Sequence, residues 1–168
     1  MGTWTRDELE AAFEHYKSEV RRAVANRDWG IFADLFTEDA TYHEHVYGKF
    51  SGREQIRSWI VQTMGTFPGN AMPAFPDRWH VIDEERGWIV ADIINRMADP
   101  GDGSVHEASN ITVLHYAGDN HFSHEEDVYN PMDFMTVVSA WGKRSRELGT
   151  LSEDAAAWLD SMGAGGPR

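Results

Sequence analysis

The sequence predicts an α+β fold in which a bent antiparallel sheet forms a cone, three helices pack on its concave face and further helices follow at the C-terminus. Three observations support this prediction. Helical periodicity dominates the first third of the chain, four strand-like segments follow one another in the second half, and no helix separates those strands. Parallel βαβ units need crossovers between strands, so they are excluded. Such a cone has an apolar mouth that can bind a small molecule.

A long amphipathic helix is predicted at the start of the chain. Thr5 and Glu8 form a capping-box pattern, and apolar residues then recur at helical spacing: Leu9, Phe13, Tyr16, Val20 and Val24. A second, shorter helix is predicted from Asp28, a strand over residues 40–47, and a third helix after a second capping pattern at Ser51.

A Pro-rich segment, residues 65–77, separates these elements from the later strands. It holds three of the six prolines beside Phe67, Met72 and Phe75, which predicts a loop that folds over something apolar. A helix is expected over residues 132–148. Turns rich in Gly, Asp and Asn separate the predicted strands, which cover residues 78–83, 88–98, 105–117 and 121–129.

Composition bounds the possible functions. The 168 residues, 41% hydrophobic, suffice for a single domain, placed at residues 1–150 with a short helical tail over 151–168. A net charge of −13 repels phosphate backbones and anionic lipid, so neither nucleic acid nor membrane is an expected partner. The sequence has no cysteine, which excludes disulfides, zinc–thiolate sites and thiol nucleophiles.

The first ten residues have neither the basic start nor the apolar stretch of a signal peptide, so we expect a cytoplasmic protein. No Gly-rich phosphate loop or nucleophile-elbow motif is present. No cofactor is therefore expected.

Four short segments give the chain a family resemblance: Asp-Trp at 28–29, Leu-Phe-Thr-Glu-Asp-Ala-Thr-Tyr at 35–42, Gly-Arg-Glu-Gln-Ile at 52–56 and Asp-Val-Tyr-Asn-Pro at 127–131. Together they resemble the nuclear-transport-factor-2-like superfamily, in its SnoaL-like and ketosteroid-isomerase-like branch. The resemblance implies the cone fold, which hosts isomerases, dehydratases, epoxide hydrolases, polyketide cyclases, lyases and non-catalytic binding modules.

The resemblance also implies a site on the first strand. In ketosteroid isomerase an Asp is the general base, and a protonated acid contributes to the oxyanion hole. That Asp follows an Asp-Ala-Thr stretch. Aligning this stretch with residues 39–41 places Glu44 at the position of the base. The limonene-epoxide-hydrolase pattern gives Tyr42 and Glu44. The alignment also shows departures: the isomerase's helix-1 tyrosine falls on Val20, and the hydrolase Arg-x-Asp falls on Ile93 and Asn95. The hydrolase's final Asp falls near Asn130.

Residues 42–45, Tyr-His-Glu-His, form the densest polar sequence in any predicted strand. The period of two places Tyr42 and Glu44 on one face and His43 and His45 on the other. A carboxylate inside an apolar cone loses solvation and becomes a competent proton acceptor, so Glu44 is the predicted base. The alternative is that Glu44 ends the strand in water.

The His-x-His spacing also suits a strand that offers two imidazoles to one metal ion. Glu126 or His124 on the last strand would complete such a site. The preferred interpretation is no metal, with His43 and His45 at the surface or facing a dimer partner. A one-residue register slip would exchange the two faces and reverse this assignment.

Two later strands supply further candidates. Alternation counted back from Asn130 places Glu126 and His124 on the cavity side. Asn95 shares its face with Ile93, so an inward Asn95 needs a partner, supplied by Glu44 or by substrate. His124 and Asn95 are thus predicted to assist catalysis, and Glu126 and Asn130 to bind substrate.

Aromatic and Met side chains concentrate between residues 59 and 88, and most belong to the core on general grounds. Met and Phe on a Pro-rich loop nevertheless suit a flexible lid over an aromatic ligand. The predicted substrate-binding members are Trp59, Met64, Phe67, Phe75 and Trp79.

These observations favour a cofactor-independent lyase or isomerase acting on an apolar, aromatic small molecule, for example by C–C cleavage or dehydration of a lignin-derived or polyketide-like compound. Glu44 is the base, and Tyr42, Asn95 or His124 stabilises the developing oxyanion or returns the proton. The alternative is a non-catalytic ligand-binding or dimerisation module. Apolar residues on both sheet faces, such as Ile94 and Trp88 against Ile93 and Ile89, predict a homodimer.

Overall fold

The computed structural model describes residues 3–164 and confirms the α+β class. Five helices and one short 3-10 turn, Gly69–Ala71, accompany the sheet. The helices are α1 (Arg6–Asn26), α2 (Gly30–Ala33), α3 (Arg53–Gly65), α4 (Pro131–Leu148) and α5 (Glu153–Ala164). The strands are β1 (Phe36–Glu44), β2 (Gly48–Ser51), β3 (Asp77–Asp83), β4 (Trp88–Arg96), β5 (Glu107–Gly118) and β6 (His121–Val128). In this part of the chain no helix has the length and apolar character needed to cross a bilayer.

The sheet has six strands in the order β2-β1-β6-β5-β4-β3. All neighbours are antiparallel except β1 and β6, which are parallel, so the sheet is mixed and the expectation of a wholly antiparallel sheet is wrong for this pair. The reason is the path of the chain: α3 and the Pro-rich loop carry it to the far edge, where β3 begins. The meander from β3 to β6 then returns to β1 and places β6 in the same direction.

Strand β2 was not anticipated from the sequence. The first strand begins earlier than predicted, at Phe36, and ends at Glu44. A turn then reverses the chain at Gly48, whose φ of +112° strongly favours glycine, and Phe50 pairs with Tyr42. A β-branched and aromatic stretch interrupted by glycine therefore forms two strands, not one.

The main core lies between the inner face of the sheet and α1, α2 and α3. Its largest fully buried side chains include Leu9, Phe13, Phe36, Ile56 and Phe122. A second cluster joins the Pro-rich loop to the C-terminal helices through Phe67, Met97, Val138, Trp141 and Ala155. At the crossing of α4 and α5 the helices approach so closely that a Cβ on Gly142 would collide with Leu159.

Part of the outer face of the sheet is apolar and exposed in the single chain. Trp79, Val81 and Val128 are 47%, 55% and 41% exposed there, whereas Ile94 is only 2% exposed and adds nothing to this surface. We expect a symmetric homodimer through this face, because an exposed apolar patch of this kind favours association.

Sedimentation at tens of micromolar tests the dimer. We expect about twice the 19.1 kDa chain mass, and Val81→Lys should shift the protein towards monomer. Val61→Lys, at a 47% exposed position on α3, is the matched control and should leave the dimer intact. A wild-type mass of one chain contradicts the prediction.

Candidate active site

A cavity of about 400 Å³ lies between the inner face of the sheet and the helices. This volume suits a drug-sized or smaller molecule. Its wall is mostly apolar and includes Val20, Phe32, Ile60, Met72 and Ile93, while its polar side chains come from the sheet and α1. The cavity therefore combines a large apolar surface with a few polar groups.

The C-terminal helices form one wall of this cavity. Phe134 and Met135 come from α4, and Trp158 and Met162 come from α5. The predicted helical tail is therefore part of the cavity wall, a role that the sequence analysis missed. The only signal was the four-residue spacing of Trp158 and Met162, which places both on one helix face.

Six of the predicted site residues line the cavity. Tyr42 and Glu44 do so from β1, on the face that strand alternation indicates, and Asn95 does so from β4. No hydrogen bond joins Asn95 to Glu44 in the described part of the chain, which leaves substrate as the other expected partner of Asn95. Among the predicted substrate-binding side chains, those in the cavity wall are Trp59, Met64 and Phe75.

Two predicted substrate-binding aromatics lie elsewhere. Phe67 packs against Trp141 and Trp158, with ring centroids 5.7 and 5.2 Å away, because the Pro-rich loop tucks beneath the C-terminal helices. Trp79 is on the outer face of the sheet, where it pairs with Asp92 and is 47% exposed. Its place in the strand period, not its size, decides its environment.

The prediction for the last strand is wrong by one residue. His124 and Glu126 face outward, beside His43 and His45, and Asn130 lies outside the strand altogether. Asn130 is the N-cap of α4, and its side chain accepts a hydrogen bond from the Met132 N–H at 3.0 Å. Alternation counted from a helix cap has no structural basis, which explains the error.

The residues of β6 in the cavity wall are two acids, Glu125 and Asp127, which the sequence analysis does not select. Tyr16 and Tyr42 lie 2.9 and 3.0 Å from Glu125 Oε1, and the Tyr42 hydroxyl also contacts Asp127 Oδ2. The other oxygen of Asp127 accepts hydrogen bonds at 2.7 and 2.6 Å, from Asn110 and Thr112.

The Tyr42 hydroxyl links the two acids. Tyr42 has one hydroxyl proton but touches two carboxyl groups, so one contact must use a proton from the acid. Burial, and then the charge of Asp127, raise the pKa of Glu125 well above its ordinary value. The Tyr42 hydroxyl donates to Glu125 Oε1, which also accepts from Tyr16, so the proton of a neutral Glu125 lies on Oε2, the oxygen without a partner.

Burial also affects the pKa values of the other two groups in this network, the Asp127 carboxyl and the Tyr42 hydroxyl. Burial also raises the pKa of Asp127, although Thr112, Tyr42 and Asn110 hydrogen bonds act against it. Burial raises the pKa of the Tyr42 hydroxyl well above its ordinary value, so it stays a donor.

Helix α1 contributes Tyr16, whose hydroxyl lies against Glu125, whereas the alignment placed the corresponding position at Val20. The expectation that this chain lacks a phenol from its first helix is therefore wrong. Burial raises the pKa of Tyr16 well above its ordinary value. Tyr16 and Val20 lie one helical turn apart and both line the cavity, so periodicity alone could not choose between them.

Glu44 is 4% exposed and anchored by the backbone of the turn after β1. Its Oε2 accepts hydrogen bonds from the N–H groups of Val46, at 2.7 Å, and Tyr47, at 2.5 Å. Burial, and then Glu44, raise the pKa of the nearby Tyr129 hydroxyl. Both backbone N–H groups donate to the same carboxyl oxygen, so these hydrogen bonds fix the orientation of the carboxyl group.

Four buried side-chain polar atoms among residues 3–164 have no hydrogen-bond partner, and three of them belong to cavity residues. They are Trp59 Nε1, a donor, Asn110 Oδ1, an acceptor, and Glu125 Oε2, which is a donor or acceptor according to protonation. Buried polar groups are normally satisfied. Their presence in one apolar cavity indicates a ligand with complementary polar groups.

Comparison with known proteins places the fold. An epoxide hydrolase of the limonene-epoxide-hydrolase-like type from M. tuberculosis superposes with a TM-score of 0.62 at 10% identity, covering 87% of this chain and 95% of that chain. An NTF2-like protein from Anabaena variabilis gives 0.56 at 14% identity, covering 77% and 95%.

A ketosteroid-isomerase-like protein from Catenulispora acidiphila, solved with trimethylamine, gives a TM-score of 0.54 at 18% identity, covering 68% of this chain and 85% of that chain. Curated proteins yield no match. The model of the SnoaL-like domain matches residues 16–115, more than half of the sequence. With its α+β fold and curved mixed sheet, the chain belongs to the SnoaL-like domain family.

Proposed function

We propose that this protein is a cofactor-independent enzyme of the lyase or isomerase type, which moves protons on an apolar, aromatic small molecule held in the cavity. The observation that carries the proposal is Glu125, which is buried in an apolar cavity with one oxygen, Oε2, unpartnered, and whose pKa burial raises well above its ordinary value. A neutral acid in such a place can donate a hydrogen bond to a developing oxyanion.

The proposed mechanism keeps Glu44 as the base. Stabilisation of the oxyanion passes from His124 to Glu125 and Trp59. Glu44 is anchored by two amides and removes a proton from the carbon next to a substrate carbonyl. The electron pair of that C–H bond moves into the carbonyl, and the enolate oxygen receives hydrogen bonds from Glu125 and Trp59 Nε1. Tyr16, Tyr42 and Asp127 hold Glu125 in place.

Two outcomes then follow from the same enolate. In an isomerase, Glu44 returns its proton to a different carbon. In a lyase that dehydrates its substrate, the electron pair forms a new double bond, and hydroxide leaves from the β carbon and takes the proton from Glu44 as water. A retro-aldol C–C cleavage reaches an enolate by another route: Glu44 removes the proton of the β-hydroxyl, the electron pair of the Cα–Cβ bond moves into the carbonyl, and the β carbon leaves as formaldehyde. Lignin-derived or polyketide-like compounds carry these groups, and the aromatic wall around Trp59, Phe75 and Trp158 suits them.

Hydrogen–deuterium exchange tests the proposal without knowledge of the full reaction. The protein is incubated in D₂O, with a chelator present, with a panel of aryl ketones and β-hydroxy aryl ketones followed by proton NMR. We expect at least one compound to lose its α-proton signal at a rate that saturates with concentration. Binding without exchange by every compound that saturates the cavity contradicts the proposal and favours a non-catalytic ligand-binding module.

A further inference from the structure

A second group of chemically competent side chains lies on the outer face of the sheet, opposite the cavity. His43 and His45 at the end of β1 and Glu126 on β6 each offer one ligand atom, and these atoms lie within 4.8 Å of one another. Glu126 Oε1 is 3.2 Å from His43 Nδ1 and 2.7 Å from His45 Nε2. Two ring nitrogens and a carboxylate oxygen therefore converge on one point.

The backbone holds this arrangement in place. β1 and β6 are adjacent parallel strands in which His43 is the register partner of Glu126. The strand period brings His45 to the same face as His43, and the two rings stack with centroids 4.1 Å apart. His43 and Glu126 are thus positioned by hydrogen-bonded strands, which place ligands more precisely than loops do, and His45 directly follows the end of β1.

The donor set selects the kind of ion. Imidazole nitrogen and carboxylate oxygen suit zinc and neighbouring divalent transition metals, which bind such atoms at roughly 2.0–2.2 Å. Ligand atoms at that distance from one ion lie about 3–4 Å apart, which is the spacing found here between His43 Nδ1 and Glu126 Oε1. His45 Nε2 and Glu126 Oε1 are closer, at 2.7 Å, and must separate to this spacing when they bind one ion.

The cluster is accessible in the single chain. There the side chains of His43, His45 and Glu126 are 27%, 40% and 33% exposed, so an ion can bind from solvent before two chains pair through this face. The chain as a whole carries a net charge of −13, which attracts cations. His124 lies beside the cluster but contacts Thr41 Oγ1 through Nδ1 at 2.7 Å, and we leave it out of the ligand set.

We propose that His43, His45 and Glu126 bind one Zn²⁺ ion, or a divalent ion of similar chemistry, with solvent in the remaining position. The ion cross-links β1 to β6, which come from opposite halves of the chain. Tyr42 and Glu44 face the cavity from the other side of the same strand, so the site is separate from the proposed chemistry. Metal removal therefore leaves exchange activity intact and lowers thermal stability.

Calorimetric titration with Zn²⁺ alone tests the site, using full-length, tag-free protein stripped with a chelator and dialysed. We expect one ion per chain. His45→Asn and Glu126→Gln should each weaken binding at least about tenfold, since each removes one of three ligands. His15→Asn on α1 is the matched control and should bind as the wild type does. Co²⁺ should give visible absorption typical of low-coordinate nitrogen and oxygen ligation.

Circular dichroism of each variant shows whether it has folded. Should one of the two variants fail to fold, the other together with the Co²⁺ spectrum of the wild type decides. Substoichiometric Zn²⁺ binding, or equal affinity in wild type and the folded variants, overturns the proposal. Because the readouts are ion binding and stability, this result is independent of the exchange assay that tests the cavity.

Discussion

Replacing Glu44 with Gln is expected to lower the rate of α-proton exchange by about 10²- to 10⁴-fold, the usual range for loss of a general base. Gln keeps the size of the side chain, and its amide oxygen can still accept hydrogen bonds from the Val46 and Tyr47 N–H groups. The cavity should therefore keep its shape while losing its proton acceptor. We expect kcat to fall with little change in KM, measured by NMR over a range of ketone concentrations.

The matched control for this variant is Glu84→Gln. Glu84 lies in the turn between β3 and β4, 51% exposed, and makes only a distant contact with Arg6. The control protein should exchange the ketone at the wild-type rate. A Glu44→Gln protein that exchanges as fast as this control would remove Glu44 from the mechanism and leave Asp127 as the carboxylate to test next.

Replacing Glu125 with Gln is expected to change how stability depends on pH. Burial raises the folded-state pKa of Glu125 well above the ordinary value of 4.5, so between pH 4.5 and the folded pKa the native chain holds a proton that the unfolded chain has lost. In that window the free energy of unfolding of the wild type falls with rising pH, by up to about 1.4 kcal/mol per unit. A glutamine side chain at this position does not titrate, so the Glu125→Gln variant lacks this decline.

Urea denaturation at several pH values between 5 and 8 measures the difference. We expect the stability of Glu125→Gln relative to wild type to increase steadily with pH, because its amide oxygen can still accept hydrogen bonds from Tyr16 and Tyr42. Glu84→Gln shows what an exposed carboxyl contributes. A stability difference that is constant across this range, or that decreases with pH, contradicts a protonated Glu125 in the folded protein.

The inward face of β1 was predictable because the strand period is short and its pattern is anchored within the strand. Tyr42 and Glu44 alternate with His43 and His45 over residues that all belong to one continuous β-strand or its immediate end. The same rule failed on β6, since its reference residue, Asn130, caps a helix. Alternation can be counted only among residues of the same strand. The sequence gives little sign of where β6 ends.

The acid network was beyond sequence reasoning for a different reason. The side chains of Tyr42, Glu125 and Asp127 are brought together by the parallel pairing of β1 with β6, and Tyr16 reaches Glu125 from α1. A charged stretch such as residues 124–127 is usually solvated. Only the register of the pairing between β1 and β6 shows that Glu125 and Asp127 face the cavity while Glu126 faces outward.

The parallel pairing of β1 with β6 also bears on how the chain folds. The two strands are separated along the chain by α3, the Pro-rich loop and four other strands, so their contacts have high sequence separation and close a large loop. The local β3–β6 meander can form before this closure, whereas β1 has only the short strand β2 as a partner until β6 exists. During synthesis, β1 therefore presents an unpaired edge until the last strand emerges, and a chain truncated before His121 is expected to aggregate through that edge.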